Sequence, residues 1–280
     1  MLRKVELEPR HESFLSSYRL PELTFDNQDL PFKSLKPIWS ALTENRVSEA
    51  RTLAQDTTQE RRIFPPEERA ALYAALATAE LRMGATDTAK RLAGKSLDLH
   101  ADQHIAHRIL LTVHVIRKDF TAAYLHLINT PLTASSPRWD CVLPEQQLQT
   151  ALAAWAWQLG EWDQVADHLM MAFPGGLTEM PASIREDWFK LSLYRGLADD
   201  AAAAAESIVG TLPESDADDI LQTIVQSGWT GHALPLYEKI YEQNQESELI
   251  RRRLVALNIK EGRLENARRL TMSSPLKLAA

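Results

Sequence analysis

The stretch Trp155-Ala156-Trp157-Gln158-Leu159-Gly160-Glu161-Trp162-Asp163-Gln164-Val165 contains the pattern that decides the fold. An apolar run of helix formers stops at a glycine, and a compact apolar residue stands five positions later. Working outward, the same shape recurs at Asn45, Gly84, Lys118, Gly196, Gly228 and Gly262. Five residues beyond each turn stand Ala50, Ala89, Ala123, Val165, Ala201, Ala233 and Ala267. The turns are spaced 39, 34, 42, 36, 32 and 34 residues apart, and five of the ten glycines serve them. Glycine and asparagine end helices because they tolerate the left-handed conformation. Lys118 is the weakest of the set on this criterion.

A helix that stops at such a turn folds back on its predecessor, and a small side chain near the start of the returning helix lets the two backbones approach. Two further positions complete the unit. Eight residues before the turns stand Pro37, Leu76, Leu110, Leu152, Trp188, Ile220 and Leu254; three before stand Leu42, Leu81, Val115, Trp157, Leu193, Val225 and Ile259. These offsets predict a buried stripe at helical period. One such hairpin cannot bury its apolar face alone, so the pattern predicts a stack of about seven hairpins, an all-α solenoid.

These units resemble tetratricopeptide repeats, most closely at Leu159-Gly160-Glu161-Trp162 with Val165 and at Lys260-Glu261-Gly262-Arg263-Leu264 with Ala267. Phe120 and Trp162 fall at the family's aromatic after the turn, and Pro213 at its closing proline. The resemblance spans about residues 33 to 273 and is degenerate, for Ser34, Tyr73, His107, Gln149, Arg185, Ala217 and Arg251 replace the early-helix tryptophan. It implies a right-handed superhelix whose first helices line a concave, protein-binding groove. Carried over position by position, the groove includes Arg82, Arg108, Gln158, Lys190, Tyr194 and Lys260, with Ala71, Ala74, Thr78, Ile105, Thr150, Ala154, Asp218 and Gln222 among its other members. Trp39, Thr78, Thr112, Ala154, Lys190, Gln222 and Ala256 stand six before the turns; with no asparagine among them, they argue against a clamp for a partner's C-terminal carboxylate.

The chain is acidic, with net charge −7 and pI near 5.7, a poor balance for non-specific nucleic-acid or anionic-membrane binding. One cysteine, Cys141, allows no intrachain disulfide, and Met1 to Arg10 lacks the apolar core of a signal peptide, so a cytoplasmic location is expected. Residues 33–280 are expected to form the solenoid. Residues 1–32 form an arm, extended at Leu20 to Phe32, that packs over the first hairpin or docks on a partner. Prolines mark breaks at Pro65-Pro66, across Thr130 to Glu145, and across Phe173 to Ser183. Asp199 to Asp219 carries seven acids and no base, whereas Glu248 to Ala280 carries eight bases, among them Arg251, Arg252 and Arg253. This basic end is the expected seat of an acidic partner surface or peptide. Without interleaved aromatics it does not suit nucleic acid.

No phosphate loop, dinucleotide fingerprint, nucleophile elbow or HExxH occurs. His100, His104, His107 and His114 cluster, but no carboxylate or cysteine completes a ligand set, and a packing role is expected for them. Trp155, Trp157 and Trp162 read as the core of the fourth hairpin, with Trp155 partly exposed. No catalytic residue, metal or cofactor is expected. The sequence thus points to a non-catalytic adaptor or scaffold within a larger protein assembly. A chaperone or assembly factor for a secretion or membrane complex is the alternative.

Overall fold

The computed structural model describes residues 13–19, 32–59, 64–129 and 144–272. All regular structure among them is helical: α1 (Phe14–Ser17), α2 (Lys36–Thr43), α3 (Val47–Gln59), α4 (Pro66–Arg82), α5 (Thr86–Leu99), α6 (His104–Ile116), α7 (Phe120–Asn129), α8 (Glu145–Leu159), α9 (Trp162–Ala172), α10 (Ala182–Arg195), α11 (Ala198–Val209), α12 (Glu214–Gln226), α13 (Thr230–Gln243), α14 (Glu248–Lys260) and α15 (Leu264–Met272), with short 3-10 turns at Lys33–Leu35 and Gly176–Thr178.

The seven turn residues are the fold's punctuation. Every one has positive φ: Asn45 58°, Gly84 81°, Lys118 57°, Gly160 75°, Gly196 75°, Gly228 87° and Gly262 74°. Lys118 therefore adopts the left-handed conformation despite its side chain. At turns 45, 84, 118, 196, 228 and 262 the turn N–H donates to the carbonyl three residues back. The next N–H donates to the carbonyl four before the turn, as Arg46 to Ala41 at 2.7 Å and Arg263 to Asn258 at 2.7 Å. This paired closure satisfies the last carbonyls of each first helix. The second helix then starts at once, since the N–H five after each turn donates to the carbonyl one after it, from Ala50 to Arg46 through Ala267 to Arg263. Ala50, Ala89, Ala123, Val165, Ala201 and Ala233 are fully buried and Ala267 is nearly so, as close helix packing requires.

Close backbone contact divides the chain into two compact units. The first, residues 18–159, holds α2–α8. Trp39, Leu42, Leu72, Leu76, Ala89, Leu92, Ile109 and Val113 belong to one continuous core in it. The second comprises residues 160–280 with the N-terminal residues up to Ser17, and holds α1 and α9–α15. The division falls within the fourth turn, so Trp155 and Trp157 lie in the first unit and Trp162 in the second. Trp155, expected to be partly exposed, is 1% exposed because α8 is buried on nearly all sides. Trp162 instead packs tilted against Tyr194, ring centroids 5.3 Å apart.

The predicted stripe is fully buried in the fourth and fifth hairpins, half-buried in the third and sixth, and exposed at two positions. Pro37 is exposed because it sits in the first turn of α2, where a proline replaces a donor with no partner. Ile259 is 55% exposed, on the last hairpin. The N-terminal arm also differs from expectation. Residues 14–17 form a helical turn on α10 rather than a tail over the first hairpin. The extended stretch expected up to Phe32 lies outside the described residues except at its end, as does most of Thr130 to Glu145, including Cys141.

Candidate functional site

Four acids of the acidic run are met by donors about one repeat further on, one of which, Arg253, comes from the basic end. His232 bonds Asp199 at 3.0 Å, Lys239 bonds Glu206 at 2.9 Å and Ser247 bonds Glu214 at 2.6 Å, each pair 33 residues apart. Arg253, 35 residues beyond Asp218, grips that carboxylate through Nε at 3.1 Å and through a terminal nitrogen at 2.9 Å. The spacing is one repeat, so a hairpin's acids are met by the next hairpin's donors. Asp218 is 4% exposed and also accepts the Tyr237 hydroxyl at 2.6 Å, while Gln222 donates to that phenolic oxygen at 2.7 Å. Burial first, and the Asp218 carboxylate second, push the Tyr237 hydroxyl well above its ordinary pKa. Asp218 and Arg253, expected on the groove and the basic end, therefore form an internal clamp between α12 and α14.

The remaining expected site residues scatter. Arg108 is 2% exposed, and burial pushes its guanidinium pKa down. It is a core group beside Tyr18, not a groove group. Arg82 donates to the Leu42 carbonyl at 2.5 Å and so caps the end of α2. Gln158 is half-buried at the end of α8. Arg251 reaches Glu248 and the Leu270 carbonyl, and Arg252 meets Glu248 at 2.7 Å. Lys260 is exposed in the last turn of α14. Lys190 stands 3.8 Å from Asp187, on the same helix as Tyr194. Of the groove positions, Ala71, Ala74, Thr78, Ile105, Thr150 and Ala154 are buried. They pack hairpin against hairpin.

Several polar replacements at the early-helix tryptophan site make hydrogen bonds where the family packs an indole. Three of the seven tie their helix to the second helix of the same hairpin: Arg185 to the Ser207 carbonyl at 3.0 Å, Arg251 to that of Leu270 at 3.3 Å, His107 to His126 at 3.1 Å. His126 was not among the clustered histidines expected from sequence, and it replaces His100 and His104 in the actual group. His107 Nε2 lies 2.7 Å from the Ala101 carbonyl, which can only accept, so the proton sits there and Nδ1 accepts from His126 Nε2. His107, His114 and His126 line an open cavity of about 410 Å³. Burial, then the neighbouring His107 and His114, lower the His126 pKa to about 4. Among the described residues, no three His, Cys, Asp or Glu side chains converge to hold a metal ion.

Two surfaces remain for a ligand. On the last hairpin, Arg251, Arg252, Val255, Ala256, Ile259 and Thr271 line a cavity of about 280 Å³. Leu264 and Met272 beside it in sequence are 65% and 69% exposed. On α10, a buried carboxylate at Asp187 receives the α1 turn. Among the described residues, no helix is long and apolar enough to cross a membrane.

Comparison with known proteins agrees with this architecture. No family model matches the sequence, and no curated protein does. Among solved structures, the chain is similar to a tetratricopeptide repeat protein from Parabacteroides merdae, at TM-score 0.50 and 13% identity over 88% of this chain and 93% of that one. It is also similar to the assembly chaperone of RpL4, Acl4, at TM-score 0.44 and 12% identity over 88% of this chain and all of that one. The first likeness, with the seven left-handed turns above, gives the class: an α-solenoid of tetratricopeptide-like hairpins.

Proposed function

We propose that this chain is a non-catalytic adaptor that binds a protein partner through its last hairpin. The observation that carries the proposal is Ile259. It occupies the position three before the turn, which is buried at Leu42, Trp157 and Leu193 and half-buried at Leu81, Val115 and Val225, yet it is 55% exposed. An aliphatic side chain exposed at a site that is buried or half-buried in the other six hairpins, on the same hairpin as exposed Leu264 and Met272, is the kind of apolar surface that marks an interaction site. Arg252, whose side chain is 77% exposed, and Lys260 give its rim positive charge. The fitting partner presents apolar side chains among carboxylates. Its charges would govern encounter and selectivity more than strength.

The scaffold reading is favoured over enzyme chemistry because the buried ionisable groups among the described residues, Glu80, Arg108, Asp187, Asp218 and Tyr237, sit in packing contacts between helices. Affinity purification of the tagged chain from its own cells, with nuclease and at moderate salt, tests it. A stoichiometric acidic protein supports a scaffold of the cytoplasm. Substoichiometric, transient clients move the weight to a chaperone or assembly factor for a secretion or membrane complex. Recovery of nucleic acid alone, and only without nuclease, contradicts protein binding.

A further inference from the structure

Asp187 is a buried carboxylate in a place where hairpins two to four put hydrocarbon, and where hairpins one, six and seven carry Lys36, Asp219 and Arg253, none of them buried. The position nine before the turn holds Ala75, Ile109 and Ala151 in hairpins two to four, all fully buried. In hairpin five it holds Asp187, 1% exposed. A buried carboxylate is costly unless donors are aimed at it. Those donors come from 172 residues away: the Leu15 N–H reaches Asp187 Oδ2 at 2.8 Å, and the Phe14 N–H also bonds the group. Asp187 Oδ1 makes no hydrogen bond, and Lys190 Nζ stands 3.8 Å from it.

The docked segment is self-contained. Ser13 and Ser16 cap one another, N–H to hydroxyl, at 3.0 and 2.9 Å, and the Ser17 hydroxyl donates to the Ser13 carbonyl at 3.1 Å. One side chain, Leu15, is fully inserted, while Phe14 and Ser17 stay exposed. The contact is that of a short peptide on a receptor: one aliphatic anchor, with the leading N–H groups of a helical turn held by a charge. Lys190 and Tyr194, three and seven residues on from Asp187, continue the same helix face.

We propose that α10 carries a peptide-docking site built on Asp187, that residues 13–17 occupy it in cis, and that a partner segment of the same chemistry competes for it. That chemistry is a serine-capped helical turn with a large aliphatic second residue. The site shares with the adaptor reading only the class of partner, since it uses none of the last hairpin's residues.

The probe is a fluorescent peptide of residues 11–19, titrated by anisotropy into the full chain and into full-chain Leu15→Ser, whose own segment has lost its anchor. The Leu15→Ser chain should bind it at least about tenfold more tightly than the wild type. Adding Asp187→Ala, the residue hairpins two and four carry at this position, should remove that gain. Equal binding by wild type and a folded Leu15→Ser chain overturns the proposal, as does undiminished binding after Asp187→Ala. Trypsin cleavage after Arg19 of the full-length Asp187→Ala single variant reads the release without any peptide. It should speed up about tenfold, and an unchanged rate contradicts a displaceable segment.

Discussion

Tyr237 donates its hydroxyl hydrogen to Asp218 at 2.6 Å, across 19 residues of chain, and so fixes α13 to α12 inside a hairpin whose acid is also held by Arg253 of the next. Two donors, one from α13 and one from α14, thus share one carboxylate of α12. Removing the hydroxyl alone, as Tyr237→Phe, keeps the ring in place and should cost roughly 2 kcal/mol, the scale of a hydrogen bond to a charged group. Urea melts check this. A cycle with Arg253→Ala should show non-additivity, because both groups stabilise the same ion.

Lys118 and Gly84 occupy equivalent turns with φ of 57° and 81°. Lys118→Gly should stabilise the protein by about 0.5–1 kcal/mol, since the side chain's left-handed strain exceeds the entropy glycine adds to the unfolded chain. Gly84→Ala should cost about 1 kcal/mol by backbone conformation alone. An added Cβ at Gly84 meets nothing within 4 Å, so no clash contributes. Paired thermal melts decide both signs.

The histidine cluster makes the first unit acid-sensitive. The folded pKa of His126 is lowered to about 4, below the unfolded value near 6.5. Between those values the unfolded chain binds the extra proton, so stability is full above about pH 6.5 and falls as pH drops toward 4. The loss should be on the order of 2 kcal/mol, less than the full shift would give because solvent enters the cavity. Asp187 acts with opposite sign. Burial raises its pKa to about 6, so its penalty is relieved as pH falls from 6 toward 4. Subtracting the pH profile of His126→Gln from that of the wild type isolates the histidine contribution.

The turns were legible in sequence because a left-handed residue and a buried small partner must recur at fixed offsets, and few residue types satisfy either. Even Lys118, chemically the least apt, was placed by its spacing to Ala123. What sequence could not give was which polar residues would be spent on packing. Arg253 looked like surface charge because its partner lies a whole repeat away. Arg108 looked like a groove residue because an offset does not report burial. The Leu15–Asp187 contact spans 172 residues and has no local signature. A search for acids at the position nine before the turn finds two, Asp187 and Asp219, and only burial separates them.

The central claim is that the last hairpin binds a protein partner through Ile259 and its cationic rim. The most direct measurement is side-by-side affinity purification of the wild type and of a full chain carrying Ile259→Asp, Arg252→Glu and Lys260→Glu. None of these residues is buried, so melting temperatures should agree within a few degrees. The account predicts a stoichiometric protein with the wild type and its loss with the variant. Retention of the same partner by the folded variant would contradict it.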